Sequence, residues 1–413
     1  MRYGCIGEHL KHSFSKEIHN LLSDYEYEIR EIERDNLDDF MTKRDFSAIN
    51  VTIPYKESVI PHMHYIDEHA KAIGAVNTVV NRGGLLYGYN TDFYGMTMLA
   101  RHAGVQIAGK KVVILGTGGT SKTAYAVAKS IGAREVLRVS RTAKEDAISY
   151  DDLYKFHTDA EVIINTTPSG MFPNIFDTPI DLNKFQNLSG ALDAVYNPLS
   201  TPFILSALKR GIPSEGGLYM LVAQAVRASE IFIDTKYEDG VTDEVYSRIL
   251  KEKENIVLIG MPASGKSTVG AILAEHLGRV LIDTDSLIVD RAKMPIPEIF
   301  EKLGEKAFRD IESEVIKECA AKNGSIIATG GGAILRHENI DALKENGKIY
   351  FIDRPLDSLI PTDDRPLSST KEAIVKRYNE RYGIYCGAAD VTIDADCDAK
   401  DVAEKIEGDF LKI

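Results

Sequence analysis

The sequence predicts an α/β protein of several domains built on parallel sheets, and three observations predict it. Two stretches each run strand, glycine loop, helix: KKVVILGTGGTSKTAYAVAKSIGA and NIVLIGMPASGKSTVGAILAEHLG. Short β-branched runs at 136–139, 162–165 and 192–195 lie between them, and a strand–helix–strand order is what a parallel sheet requires. The chain has 413 residues, 44% hydrophobic and 27% charged, enough for about three domains, each with its own core.

In the first unit Val112–Leu115 is a buried-strand run, Gly116, Gly118 and Gly119 make the loop, and Ala124, Val127, Ala128 and Ile131 recur at helical spacing before Gly132. In the second, Ile256–Ile259 is the strand and Gly260–Lys266 the loop. Val269, Ile272, Leu273 and Leu277 give the buried helix face, closed by Gly278. The charged stretch KYEDGVTDEVYSRILKEKEN reads as a helix running into a linker, which places a boundary near Lys251–Asn255. The domains expected are 1–95 completed by 215–250, then 96–214, then 255–413.

A net charge of -13 argues against nucleic acid or an anionic membrane as partner. Small-molecule substrates are expected, and local Arg or Lys clusters must hold any that are anionic. Cys5, Cys319, Cys386 and Cys397 show no metal-ligand spacing and read as free thiols of a reducing compartment. The N-terminus MRYGCIGEHLKHSFS has no apolar signal region, and no run reaches the roughly 20 apolar residues that span a bilayer. A cytoplasmic protein is expected; oligomeric state is left open.

GMPASGKS fits G-x-x-x-x-G-K-[ST] from Gly260 to Ser267. Backbone N–H groups of such a loop cradle phosphate oxygens, and the following helix adds the positive end of its dipole. Gly260, Ala263, Ser264, Gly265, Lys266, Ser267 and Thr268 are the expected ATP-binding residues, with Lys266 on the β/γ phosphates and Ser267 on Mg²⁺. LIDTDSLI supplies Asp283 and Asp285, carboxylates able to serve Mg²⁺ and an acceptor hydroxyl. GEKAFRDIE puts Phe308, Arg309 and Glu312 on one helix, and IIATGGGAI offers Gly330, Gly331 and Gly332, where bare backbone can approach a ligand. Arg365 and Arg381 follow, and three arginines on one pocket suit an anion such as a carboxylate.

From Asn255 to about Phe410 the segment resembles shikimate kinase, through GxxxSGKS, DTD, GExxFRxxE, GGG and RPL together. The resemblance implies that Asp285, Arg309, Gly331 and Arg381 hold shikimate. It implies that Asp285 orients or deprotonates the accepting hydroxyl, that Arg365 meets the transferring phosphoryl group from a lid, and that Asp283 supports Mg²⁺. One departure stands out: PLDSLIPTDD, before RPL, is short and lacks the arginine that family places near adenine.

The other glycine loop, GTGGTS, also follows a strand and opens a helix. The next strand ends roughly twenty residues on, where a dinucleotide's ribose is read. NAD binders place Asp or Glu there, whereas this chain has Ser140, Arg141 and Thr142, with Lys144 nearby. Arg141 can pair with a 2′-phosphate, so NADP is favoured. Upstream lie Ser13 and Ser15, then Asn50, Thr52 and Lys56 in NVTIPYK, Asn77 in GAVNTVV and Asp92 in GYNTDFYG. These groups suit a polyhydroxylated carboxylate, and a buried Lys held by an Asp can protonate a carbonyl as it accepts hydride. Taken alone, Lys56 and Asp92 also fit a surface ion pair.

Over roughly 1–250, HSFS, NVTIPYK, AVNT, NTD, GTGG, SRT, TTPSGM and GLYMLVAQ fall in the order of shikimate dehydrogenase, which the segment resembles. The resemblance implies Lys56 and Asp92 as the catalytic pair, and Ser13, Ser15, Asn50, Thr52, Asn77, Asp92 and Gln224 as shikimate contacts. It implies Tyr196 and Gly217 near the cofactor. The departures are Lys16, where Pro is usual, and Ser140, where Asn is usual. The fold implied is an α/β substrate domain plus a Rossmann NADP-binding domain, followed by a P-loop α/β domain like that of nucleoside-monophosphate kinases.

The chain therefore reads as two consecutive enzymes, an NADPH-dependent reductase of 3-dehydroshikimate and an ATP-dependent kinase of shikimate. Two alternatives stay open: a quinate or shikimate dehydrogenase using NAD, and a sensor that binds shikimate without turnover.

Overall fold

The computed structural model describes residues 1–8, 10, 14–142, 145–359 and 370–412. Ser13, Lys144 and Arg365 lie outside the described residues. The chain divides into two compact units, Met1–Asn197 with Ser206–Ile249, and Pro198–Leu205 with Leu250–Ile413. No helix among the described residues is long and apolar enough to cross a membrane.

The first unit contains two sheets. One is formed by β1 (Tyr3–Gly7), β2 (Tyr27–Glu31), β3 (Ala48–Val51), β4 (Tyr65–Ile66), β5 (Thr78–Arg82) and β6 (Leu85–Tyr89), in the order β2-β1-β3-β5-β6-β4. It is a mixed sheet within the α/β domain expected here, because β5 runs antiparallel to both β3 and β6. The cause is local. Gly83 and Gly84 alone join β5 to β6, with φ of 59° and 87°, the two-residue hairpin geometry that Gly-Gly favours.

The other sheet is formed by β7 (Lys111–Leu115), β8 (Glu135–Ser140), β9 (Ile148–Ser149), β10 (Val162–Asn165), β11 (Gly190–Asp193) and β12 (Ser214–Glu215). It is parallel throughout, in the order β12-β11-β10-β7-β8-β9. β7 and β10 are buried at every position, which explains their continuous apolar runs. The strand expected at 192–195 ends instead at Asp193. There the carboxylate takes over from the ladder, accepting hydrogen bonds from Asn165 Nδ2 (3.0 Å) and the backbone N–H of Val195 (2.9 Å). The helix Leu218–Ile233 packs against the helix Thr91–His102. A Cβ on Gly95 would lie 2.6 Å from the Met220 carbonyl oxygen, so the approach requires glycine.

The second unit has one parallel sheet of β13 (Asn255–Ile259), β14 (Leu281–Asp283), β15 (Ile326–Ala328), β16 (Gly347–Asp353) and β17 (Val391–Asp394), ordered β14-β15-β13-β16-β17. Buried side chains such as Val257, Ile259, Ile327 and Phe351 form the core on one face, and Ile256, Leu258, Tyr350 and Val402 the core on the other. In both parallel sheets the glycine loop leaves the strand, β7 or β13, beside which the order of connection reverses. That is where ligands of open α/β sheets bind.

Two candidate active sites

In the first unit Lys56 donates to Asp92 Oδ2 at 2.6 Å, with 16% and 12% of the two side chains exposed. Asp92 occupies the first turn of the helix Thr91–His102, whose cap, Asn90, accepts from the N–H of Phe93. Asn77 fastens that helix to the sheet: its side-chain oxygen accepts from Thr91 N–H at 2.7 Å and from the Thr78 hydroxyl at 3.0 Å. Asn50 accepts from the Tyr27 hydroxyl at 2.7 Å and donates to the Thr78 hydroxyl at 3.2 Å. Gln224 accepts from the Thr91 hydroxyl at 3.3 Å. The structure thus gathers Asn77, Asp92 and Gln224 around Thr91, a residue the sequence did not single out, and joins Lys56 to Asp92. Thr52 follows β3, its N–H bound to the Ile6 carbonyl at 3.0 Å, and Ser15 opens the helix Ser15–Leu22. Tyr196 meets Phe14 edge to face at 5.3 Å, and burial raises its phenol pKa.

The glycine loop after β7 fits a dinucleotide. Gly116 has φ of 108°, a region L-residues avoid, and a Cβ there would sit 2.9 Å from the Thr166 hydroxyl. Cβ atoms at Gly118 and Gly119 would meet nothing within 4 Å, so this backbone is open, and it starts the helix Gly119–Ile131. Lys122 on that helix pairs with Glu57, next to Lys56, at 2.6 Å, which brings the start of the helix close to the Lys56–Asp92 pair. At the end of β8 Ser140 is buried, while Arg141 and Thr142 are exposed. The Ser140 hydroxyl accepts from the N–H of Thr142 at 3.3 Å. No carboxylate among the described residues forms an ion pair with Arg141. Gly217 is buried, and a Cβ there would lie 2.3 Å from the Ala194 carbonyl oxygen, so it serves close packing at the start of the helix Leu218–Ile233.

In the second unit a cavity of about 360 Å³ joins the loop after β13 to the acidic, glycine and arginine motifs. Gly265 has φ of 90° and Ala263 φ of 66°, and Gly265 caps the helix Lys266–Leu277. The Lys266 ammonium donates to the carbonyls of Gly260 and Met261, both at 2.9 Å. Ser264 is buried, and Thr268 lines the cavity. Ser267 donates to Asp283 Oδ2 at 2.7 Å, and Asp283 also caps the helix Thr284–Ala292. No trio of His, Cys, Asp or Glu suited to a metal exists among the described residues. The hard oxygen pair Ser267 and Asp283 fits Mg²⁺, which takes few protein ligands and completes its shell with water and phosphate.

The three glycines each let a neighbour come close. A Cβ at Gly330 would lie 2.5 Å from Asp285 Oδ1, one at Gly331 2.9 Å from the Pro262 ring, and one at Gly332 2.1 Å from Arg309 Nη1. The bare backbone is therefore what lets the acid, the phosphate loop and the arginine converge. Arg309 donates to Glu312 at 2.6 Å; Arg381 and the Tyr385 hydroxyl both donate to the Gly331 carbonyl, at 3.0 and 2.5 Å. Burial raises the Glu312 carboxyl pKa against the opposing pull of Arg309. Arg309 Nε and Glu312 Oε1 are buried without hydrogen-bond partners. Sequence reasoning missed Arg377, which lines the same cavity four residues before Arg381 on the helix Lys371–Ala388. Burial and then the neighbouring Arg381 lower its pKa. Ile296, Phe300 and Phe308 form an apolar wall. Crowded guanidiniums beside an apolar wall make a pocket for an anion with a hydrocarbon ring.

These geometries define the class: an NADP-type dehydrogenase unit with a Lys–Asp pair at its cofactor loop, followed by a P-loop phosphotransferase. Family models match in the same places, one described as the shikimate dehydrogenase substrate binding domain over residues 5–79 and one as shikimate kinase over 262–409. The shikimate dehydrogenase (NADP(+)) of Clostridium beijerinckii is 35% identical over 260 residues, covering 59% of this chain and 96% of the relative. The structure of shikimate dehydrogenase 1 from Peptoclostridium difficile matches with a TM-score of 0.55 and 35% identity, over 60% of this chain and 98% of that one. A chorismate mutase/shikimate 5-dehydrogenase fusion protein from Clostridium acetobutylicum matches with a TM-score of 0.56 and 34% identity, over 60% of this chain and 96% of that one. The chain belongs to the shikimate dehydrogenase family and continues into a shikimate kinase domain, which makes it a bifunctional enzyme of the shikimate pathway.

Proposed function

We propose that the first unit reduces 3-dehydroshikimate to shikimate with NADPH and that the second phosphorylates shikimate with MgATP. NADPH supplies the hydride. Lys56 gives its proton to the carbonyl oxygen of the substrate, and Asp92, 2.6 Å away, fixes the ammonium in place. Asn77 and Gln224, held through Thr91, present amides to the ring hydroxyls, and Asn50, Thr52 and Ser15 supply further polar contacts. Arg141 takes the 2′-phosphate of the cofactor, since no carboxylate claims it among the described residues.

In the second unit ATP, held on the loop 260–268, supplies the phosphoryl group. Asp285 accepts the proton of the acceptor hydroxyl, while Arg309 and Arg381 hold the carboxylate of shikimate. Lys266 steadies the phosphates, and Ser267 with Asp283 supports Mg²⁺. The observation that carries the kinase reading is the single cavity lined by Lys266, Asp285, Arg309 and Arg381; for the reductase it is the Lys56–Asp92 pair beside the cofactor helix.

The test gives the purified protein dehydroshikimate, NADPH and MgATP, and follows NADPH loss and phosphorylated product separately. Lys56→Ala is expected to stop the first signal alone, and Lys266→Ala the second alone. A variant that left its own signal intact would remove that site from the mechanism.

A further inference from the structure

The kinase domain lacks the arginine that its resemblance leads one to expect ahead of the lid, so another group must face the part of the nucleotide that is not transferred. The sheet order shows where to look. Asp283, Asp285 and the glycine triplet follow β14 and β15, on one side of the phosphate-loop strand β13. The nucleotide must leave the loop on the other side, over β16 and β17. Arg354 stands there, as the first residue after β16.

The end of β16 lies against the loop: a Cβ on Gly260 would come within 2.9 Å of the Ile352 carbonyl oxygen. Arg354 Nη1 lies 3.5 Å from the Cβ position of Gly265, the residue that caps the phosphate-binding helix. Its Nε is buried with no hydrogen-bond partner, and no ion pair or hydrogen bond engages its guanidinium among the described residues. The carboxylates at the ends of β16 and β17 have other partners, Asp353 accepting from the Tyr382 hydroxyl at 2.8 Å and Asp394 from the N–H of Asp396 at 3.0 Å, and neither forms an ion pair with Arg354 among the described residues. A half-buried guanidinium with no counter-ion among the described residues, beside a phosphate cradle, is suited to an anion.

We propose that Arg354 is a nucleotide-binding residue of the kinase, pairing with the phosphate chain of the donor. The inference rests on the second unit being a MgATP-dependent kinase. It assigns to Arg354 the non-transferred phosphates, with a planar fork suited to two oxygens at once.

The test uses the full chain with Arg354→Met, which keeps the apolar stem, and Arg354→Lys, which keeps the charge but not the fork. Calorimetric Kd values for ADP and GDP are measured with KM for ATP, KM for shikimate and the NADPH-dependent rate. For Arg354→Met, ADP binding weakens and KM for ATP rises by about 10- to 100-fold. GDP weakens by the same factor, because the contact is to phosphate and not to base. KM for shikimate stays within about twofold, and the reductase rate is unchanged. Arg354→Lys falls between wild type and Arg354→Met, and serves alone if the methionine variant does not fold. Unshifted ADP affinity, a loss confined to ADP, or a shift in shikimate KM alone would overturn the assignment, as would wild-type ADP affinity in Arg354→Lys. A wild-type chain that turned over no ATP would instead defeat the kinase reading itself.

Discussion

Replacing Gly332 by alanine tests the acceptor pocket with one methyl group. Gly332 has φ of -106°, which alanine adopts freely, so the perturbation is steric. The new Cβ would stand 2.1 Å from Arg309 Nη1, 2.4 Å from Nη2 and 2.5 Å from Cζ, where ordinary contact begins at 3.4 Å. The guanidinium must therefore retreat by about 1 Å, enough to break its charged hydrogen bonds to a carboxylate ligand. Each such bond contributes roughly 1.5–3 kcal/mol, which corresponds to a rise in KM for shikimate of about 10- to 150-fold. The retreat also strains the 2.6 Å bond from Arg309 to Glu312, a residue only 1% exposed, so the second unit's melting temperature falls. The assay is ADP release with shikimate varied at saturating MgATP, and the NADPH-dependent rate of the same protein is the control. A KM for shikimate within twofold of wild type would refute the placement of Arg309 at the substrate.

Arg141→Ala is expected to raise KM for NADPH by about 10- to 100-fold while leaving NADH use unchanged, read from initial rates with each cofactor. Gly217→Ala is expected to lower the first unit's melting temperature sharply, because its methyl would overlap the Ala194 carbonyl oxygen at 2.3 Å. Burial holds the His19 imidazole pKa down at about 3, so the unfolded chain binds a proton below 6.5 that the folded one refuses. The first unit accordingly loses stability as pH falls below 6.5, by roughly 1.4 kcal/mol per unit for this one group, and His19→Phe flattens that slope in melts across pH. Glu345 behaves in the opposite sense: burial, then Asp341, pushes its carboxyl up to about 9, so the folded chain keeps a proton that the unfolded chain sheds above 4.5. The second unit weakens as pH rises from 4.5 towards 9, and Glu345→Gln removes that trend.

The two glycine loops were legible because phosphate binding demands a strand, bare backbone and a helix start in consecutive residues. Lys56 and Asp92 were legible only as members of a long motif series; the 2.6 Å bond between them depends on how the helix Thr91–His102 lies across the sheet. The antiparallel turn between β5 and β6 had its signal in plain view, Gly83-Gly84, but the regular spacing of strands and helices elsewhere masked it. Arg377 could have been found from its four-residue offset to Arg381 on one helix. Arg354 could not, since its place beside Gly265 follows from β16 lying next to β13, and sheet order is not written in any local pattern. Thr91 is hidden for the same reason: it gains meaning only where Asn77 and Gln224 meet it from two other elements.

The ammonium of Lys266 donates to the Gly260 and Met261 carbonyls and lies 3.5 Å from the Ser264 hydroxyl, so the long side chain is folded back across the very loop that precedes it. Its position is therefore inherited from that backbone. A substitution at 260 or 261 that displaced either carbonyl would move the charge as well, and a change in nucleotide affinity there would report on the lysine as much as on the residue replaced.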